Sequence, residues 1–279
     1  MTQYLLKNNS DFQMLCISLS SKPGKIGTIV HNAGYRYLGL DWSYAACTTN
    51  DLKGSIEAIK ILGIRGCSVS MPFKEDVMKY LDKIDSIAKK IGAVNTIVNN
   101  NGKLTGYNTD YIGAKESLKI LNLTKKNNFL VLGTGGVGRS ILFALHNLGF
   151  TKITISGRNL TKAKKLADEF NSKVISWDKR EIFTDEVLIN ATSIGMYPDI
   201  KSSPISKINM KNMKYVMDVV SNPTETTLIK NAKSLKIKNL SGLTMSLFQA
   251  RAQFKLYTKQ MVPMEVMKKA VNTHYKRKK

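Results

Sequence analysis

The chain has 279 residues, 43% of them hydrophobic and 23% charged, enough apolar material for one large domain or two ordinary ones and too much for a wholly disordered protein. Its 43 Lys and Arg against 20 Asp and Glu give a formal charge of +23, carried mostly by Lys along the whole chain. This reads as a lysine-rich surface that draws in polyanions and not as a specific nucleic-acid binder, because no groove-reading basic helix and no aromatic stacking motif accompanies the charge.

No run of about 18 apolar residues is present, so no transmembrane helix and no membrane partner are expected. The opening MTQYLLKNNSDFQ is mixed and polar, without the apolar core and cleavage site of a signal peptide, and a cytoplasmic location is expected. Cys16, Cys47 and Cys67 are scattered without a CxxC pairing and read as reduced core thiols. His31, His146 and His274 lack metal-ligand spacing, so no metal site is expected.

Short apolar runs alternate with helix-like stretches, the pattern of parallel sheets. Met14 to Leu19 reads as a strand, and Thr28 to Gly39 as a helix with Thr28 as N-cap and Gly39 as stop. Tyr44 to Thr48 reads as a strand, Asp51 to Leu62 as a helix ended by Gly63, and Cys67 to Ser70 as a short strand meeting Met71-Pro72. Asp76 to Ile91 reads as helical and Val94 to Val98 as extended. After Asp110 the character changes: Tyr111 to Leu121 leads away as a helix, and Asn127-Asn128 precede the apolar strand Phe129 to Leu132. Strand and helix then alternate to about Leu240, and Met245 to Ala270 reads as one amphipathic helix.

Gly133-Thr134-Gly135-Gly136-Val137-Gly138 follows the strand Phe129–Leu132 and opens the helix Arg139 to Leu148. Glycines there allow a tight turn and let backbone N–H groups approach a pyrophosphate, while the helix N-terminus adds partial positive charge. The next strand, Lys152 to Ser156, ends in Gly157-Arg158-Asn159. A dinucleotide site for NAD places Asp or Glu here to hold the ribose 2′-hydroxyl. None is present, and Arg158 and Lys162 are instead placed to take a 2′-phosphate, with Asn159 beside them. NADP is therefore the expected cofactor.

Three motifs in the first half, Ser68-Val69-Ser70-Met71-Pro72-Phe73-Lys74, Ala93-Val94-Asn95-Thr96 and Gly106-Tyr107-Asn108-Thr109-Asp110, resemble the substrate domain of shikimate dehydrogenases. So do Asn190 to Met196, Asp218 to Pro223 and Gln249-Ala250, and the likeness runs in order from about Leu15 to Phe254. The resemblance implies an α/β fold of two domains with a cleft between them. Residues 1–112, completed by 244–279, would form the substrate domain, and 113–243 a Rossmann-like NADP-binding domain. It implies NADP-dependent interconversion of shikimate and 3-dehydroshikimate in aromatic amino acid and chorismate biosynthesis, by a monomer or homodimer.

The resemblance implies Lys74 and Asp110 as the catalytic pair. Oxidising a secondary alcohol removes a hydride and a proton; a lysine amine can exchange the proton, and a carboxylate can orient it and bind the reacting hydroxyl. Substrate contacts are implied at Asn95, Gln249 and Ser70, and cofactor contacts at Gly133, Thr134, Gly135, Gly136, Val137, Thr192, Val219 and Gly242.

The chain departs from the family at three places. Lys25-Ile26-Gly27-Thr28-Ile29-Val30-His31-Asn32 stands where the family has Ser-x-Ser-Pro-x-x-His-Asn, so both carboxylate-binding serines are gone. Their work could pass to Thr28, Lys25, or the upstream Ser18, Ser20 and Ser21. Ser68 stands where Asn is usual and Ser221 where Tyr is usual. A divergent branch is expected, whose substrate is shikimate, quinate or another hydroxylated ring carboxylate. A nucleotide-binding sensor of weak turnover is the non-enzymatic alternative.

Overall fold

The computed structural model describes residues 13–183 and 186–276, in two compact units: the residues up to Thr109 together with those from Ala250 onward, and Asp110–Gln249. The polar opening at 1–12 and the end of the basic tail at 277–279 lie outside the described residues.

In the first unit the elements run β1 (Met14–Ser20), α1 (Ile26–Tyr37), β2 (Trp42–Thr48), α2 (Leu52–Ile61), β3 (Gly66–Val69), β4 (Lys83–Ile84), α3 (Ser86–Ile91), β5 (Thr96–Asn100) and β6 (Lys103–Tyr107). The sheet order is β2-β1-β3-β5-β6-β4, with β1, β2 and β3 parallel and β5 antiparallel to both β3 and β6. Ile17, Leu19, Ile56, Ile59, Val69, Val94 and Ile97 form a core on one face. The helix α9 (Met264–Lys276) packs on α1.

Several expectations are corrected here. Helix α1 starts before Thr28, because Ile29 N–H already closes a turn onto the Lys25 carbonyl at 3.1 Å. Lys25 occupies the cap position and makes no side-chain capping bond. Strand β5 lies two residues later than Val94 to Val98. The stretch 76–91 is not one helix. A 3-10 turn over Asp76–Tyr80 gives way to β4, and α3 begins only at Ser86. Aspartates break it: Asp82 accepts from Leu104 N at 2.7 Å, and Asp85 caps α3 by accepting from Ile87 N at 3.0 Å. Aspartate side chains that bind nearby backbone compete with a continuous helix in this way.

The second unit runs α4 (Thr109–Ile120, its first residue counted with the first unit), β7 (Phe129–Leu132), α5 (Gly136–Asn147), β8 (Ile153–Ser156), α6 (Leu160–Glu169) and β9 (Lys173–Ile175). It continues with β10 (Val187–Asn190), β11 (Tyr215–Asp218), α7 (Thr227–Ser234), β12 (Lys238–Leu240) and the start of α8 (Gly242–Thr258). All its strand pairs are parallel, in the order β12-β11-β10-β7-β8-β9, a doubly wound sheet. Helix α5 opens three residues before Arg139. The stretch 245–270 is two helices, because Lys259 turns to φ +64° and Pro263 stands before α9. Among the described residues no helix is long and apolar enough to cross a membrane.

Candidate functional site

The winding of the second sheet reverses between β7 and β10, and ligands of such sheets bind beyond the carboxyl ends of the strands at that point. Gly133, the first residue past β7, has φ +111°, and a Cβ on it would lie 2.7 Å from the Ala191 carbonyl oxygen past β10. Only glycine satisfies both conditions. Gly135 stands before α5, which has no side-chain cap and no acidic residue in its first turn. Nothing lies within 4 Å of where a Gly135 Cβ would be. A twelve-residue helix with free N–H groups facing open space suits a phosphate, so the residues present fit a dinucleotide.

Thr134 and Val137 are half-buried beside this loop, and Gly136 is the first residue of α5. Arg158 and Lys162 are both exposed just past β8, where a 2′-phosphate would be read. Asn159 Oδ1 caps α6 by accepting from Lys162 N at 2.9 Å. Thr192 is likewise turned inward: its hydroxyl donates to Asn190 Oδ1 at 2.7 Å and accepts from Ile194 N at 3.1 Å. Val219 donates its N–H to the Asn190 carbonyl at 3.0 Å. Gly242 opens α8 so close to that loop that a Cβ would lie 2.4 Å from the Val219 oxygen.

Beneath these residues lies a polar cluster that sequence reasoning missed. Asp218 is fully buried and accepts from Asn190 Nδ2 at 3.0 Å, from Val220 N at 3.0 Å and from the Thr226 hydroxyl at 2.6 Å. Burial pushes its carboxyl up to about 6, against the pull of these donors. Asp110 lies in the first turn of α4, where the helix dipole suits an acid, and is buried. Gln249 is half-buried on α8, beside Gly113 of α4.

In the first unit, Ser20, Ser70, Lys74 and Asn95 gather at one end of the sheet. Ser70 N donates to the Leu19 carbonyl at 2.9 Å, Val69 N to the Asn95 carbonyl at 2.8 Å, and Val94 N to the Lys74 carbonyl at 2.8 Å. Lys74 is half-buried on the turn after β3, and Ser70 is exposed. Asn95 is 1% exposed. Its Oδ1 accepts from Thr109 N at 2.7 Å, Thr109 Oγ1 at 3.0 Å and Thr96 Oγ1 at 2.9 Å, while its Nδ2 has no partner. The Ser20 hydroxyl is also buried without a partner. Ser18 is half-buried on the same face of β1, Thr28 is half-buried, and Lys25 is exposed at the start of α1.

Gln253, one turn beyond Gln249, was also missed. It is 2% exposed and donates to Thr96 Oγ1 at 3.0 Å, bracing the same network. Its signal was the four-residue step from Gln249, which keeps both on one helix face. His31 is fully buried with its ring 4.4 Å from that of Tyr44, and burial pushes its imidazole down to about 4. Cys16 and Cys67 are buried free thiols and Cys47 is half-buried; burial pushes Cys16 up to about 12. Among the described residues no group of side chains could hold a metal ion.

Residues 26–97 match the shikimate dehydrogenase substrate binding domain, and residues 115–243 match the shikimate/quinate 5-dehydrogenase family. A shikimate dehydrogenase-like protein of Haemophilus influenzae is 39% identical over 264 residues, covering 94% of this chain and 96% of that one. The chain belongs to the shikimate dehydrogenase family. Another member, the shikimate dehydrogenase (NADP(+)) of Methanococcus vannielii, is 39% identical over 263 residues, 87% of this chain and 90% of its own. The solved shikimate 5-dehydrogenase of Thermus thermophilus, in complex with NADP(H) and shikimate, superposes with a TM-score of 0.84 at 29% identity, covering 94% of this chain and 99% of that one.

Proposed function

We propose that the protein is an NADP-dependent dehydrogenase that interconverts shikimate and 3-dehydroshikimate in aromatic amino acid biosynthesis, in the cytoplasm. The observation that carries this reading is Asn95. Three donors occupy its Oδ1, so its orientation is fixed and its buried Nδ2 needs an acceptor. Buried polar groups find partners, and a hydroxyl of a ring substrate is one.

NADP when bound supplies the hydride acceptor. The Gly133–Gly136 loop and the free N–H groups of α5 hold its pyrophosphate, with Val137 alongside, and Arg158 and Lys162 hold the 2′-phosphate. Lys74 takes the proton from the reacting hydroxyl during oxidation and returns it in reverse, and Asp110 binds that hydroxyl. Gln249 and Ser70 add substrate contacts. Lys25 and Thr28, at the uncapped start of α1, and Ser18 and Ser20 of β1 receive the ring carboxylate.

The test is reduction of NADP by shikimate, read as absorbance of the reduced cofactor, with NAD and quinate in parallel and Lys74→Ala as control. Turnover with shikimate that the control loses by about a hundredfold or more supports the reading. A second reading, quinate or another hydroxylated ring acid as the natural substrate, is favoured by Lys25-Ile26-Gly27-Thr28 in place of the serine pair. Faster turnover of quinate than of shikimate would select it. NADP binding without turnover of any ring acid would make the protein a sensor.

A further inference from the structure

We infer that Asp218 is a positioning residue for the dinucleotide, fixing from one buried point the two loops that carry Thr192 and Val219. This rests on the NADP reading above. The carboxylate reaches in two directions. Its Oδ1 accepts from Asn190 Nδ2, and Asn190 Oδ1 in turn accepts from the Thr192 N–H at 3.1 Å and from the Thr192 hydroxyl. Asn190 Nδ2 also donates to the Ile194 carbonyl at 3.3 Å, so one amide defines the loop after β10 at both ends. The same Asp218 Oδ1 accepts from Val220 N, which sets the loop after β11.

Two close approaches extend the effect. Gly242 is pressed on the Val219 and Val220 carbonyls, so the start of α8 follows the loop that Asp218 shapes. Ala191 is pressed on Gly133, so the glycine loop meets the segment that Asn190 shapes. The carboxylate therefore lies under the junction of β7, β10 and β11, where the winding reverses.

The choice of an acid needs a reason. Asp218 is fully buried and makes no ion pair among the described residues, while its strand neighbours Val216 and Met217 are apolar. A buried carboxyl without a cation is costly, and an apolar side chain would serve packing alone. An acceptor with two oxygens, each able to hold donors from different segments, is what the junction uses. Oδ2 takes the hydroxyl of Thr226, the cap of α7, at the far end of the segment that follows β11.

The test uses the full chain and NADPH fluorescence titration, with thermal melting and steady-state kinetics alongside. Asn190→Ala and Asp218→Ala cut the link from its two ends. Each is expected to weaken NADPH binding about tenfold or more, while the KM for shikimate moves less than about twofold. Asp218→Asn keeps the Oδ1 acceptor and is expected to restore most of the affinity lost in Asp218→Ala. Thr226→Val removes the other contact of Asp218 and is expected to lower the melting temperature with little change in NADPH affinity. Folded Asn190→Ala or Asp218→Ala protein that binds NADPH as tightly as wild type overturns the inference. So does Thr226→Val weakening NADPH as much as they do, since stability alone would then explain the loss. If Asp218→Ala does not fold, Asn190→Ala decides. A wild-type protein that does not bind NADPH removes the NADP reading and this inference with it.

Discussion

Two glycines two positions apart, Gly133 and Gly135, should respond oppositely to the same added methyl group. At Gly133, alanine would have to hold φ +111° and place Cβ 2.7 Å from the Ala191 oxygen and 2.8 Å from its carbon. The backbone conformation costs a side-chain-bearing residue about 1–3 kcal/mol, and forcing a methyl against backbone costs about 1–3 kcal/mol more. Gly133→Ala should therefore lose about 2–6 kcal/mol, a fall in melting temperature of roughly 5–20 °C. At Gly135 the backbone is extended (φ −81°, ψ −178°) and the space is empty. Alanine is a poorer N-cap than glycine by about 0.5–1 kcal/mol, but it restricts the unfolded chain by a similar amount, so Gly135→Ala should melt within about 2 °C of wild type. Its methyl would nevertheless fill the space before α5. Loss of a charge-assisted contact to phosphate is worth about 1.5–3 kcal/mol, or about 10–100-fold in NADPH affinity. Melting without nucleotide and fluorescence titration with NADPH separate the two effects. Wild-type affinity in a normally folded Gly135→Ala would refute the placement of the pyrophosphate at this loop.

Other outcomes follow from single side chains. Arg158→Ala should reduce the preference for NADP over NAD by about tenfold or more, measured as the ratio of kcat/KM values, with the NAD value little changed. Asn95→Ala leaves the Thr109 N–H at the start of α4 and two hydroxyls without their acceptor, so it should cost about 2–4 kcal/mol in denaturant unfolding and raise the KM for shikimate. Two buried groups should give opposite pH slopes. The unfolded chain protonates His31 below its ordinary 6.5 and the folded protein only near 4, so this group removes up to about 3 kcal/mol of stability as pH falls through that window. Asp218 releases its proton near 3.8 when unfolded and near 6 when folded, so it removes up to about 3 kcal/mol as pH rises through that window. His31→Phe should therefore make unfolding free energy less dependent on acid, and Asp218→Asn should remove the opposing slope. Parallel profiles for both variants and wild type between pH 4 and 6 would contradict the burial argument.

What could be read from the sequence was what local chemistry dictates. Phe129 to Gly138 announces strand, loop and helix start because an apolar run and glycines leave few alternatives. The stretch Asp76 to Ile91 misled because its apolar spacing is helical, while Asp82 and Asp85 spend their side chains on backbone N–H groups. The hairpin of β5 and β6 turns at Asn101-Gly102, both at positive φ, a strong turn signal. Asn99, Asn100 and Lys103 around it break the apolar alternation expected of strands. Asn95 was legible through its motif, but the free Nδ2 was not, since that depends on Thr109 fourteen residues later. The Asn190–Asp218 pair spans 28 residues and carries no spacing rule, so only the parallel register of β10 and β11 reveals it.

The packing of α9 on α1 also bears on how the molecule is made. Ribosomes deliver the chain from its first residue at about 5–20 residues per second. The second unit draws only on residues 110–249 and has its strands in hand once that stretch has emerged. The first unit, though started earlier, waits for α9 to cover α1, a delay of roughly ten to thirty seconds after Thr109 is joined. During that interval the α1 side of its sheet is open to chaperones and proteases. A released chain truncated after Gln249 should carry a protease-resistant second unit and a first unit that is still cleavable.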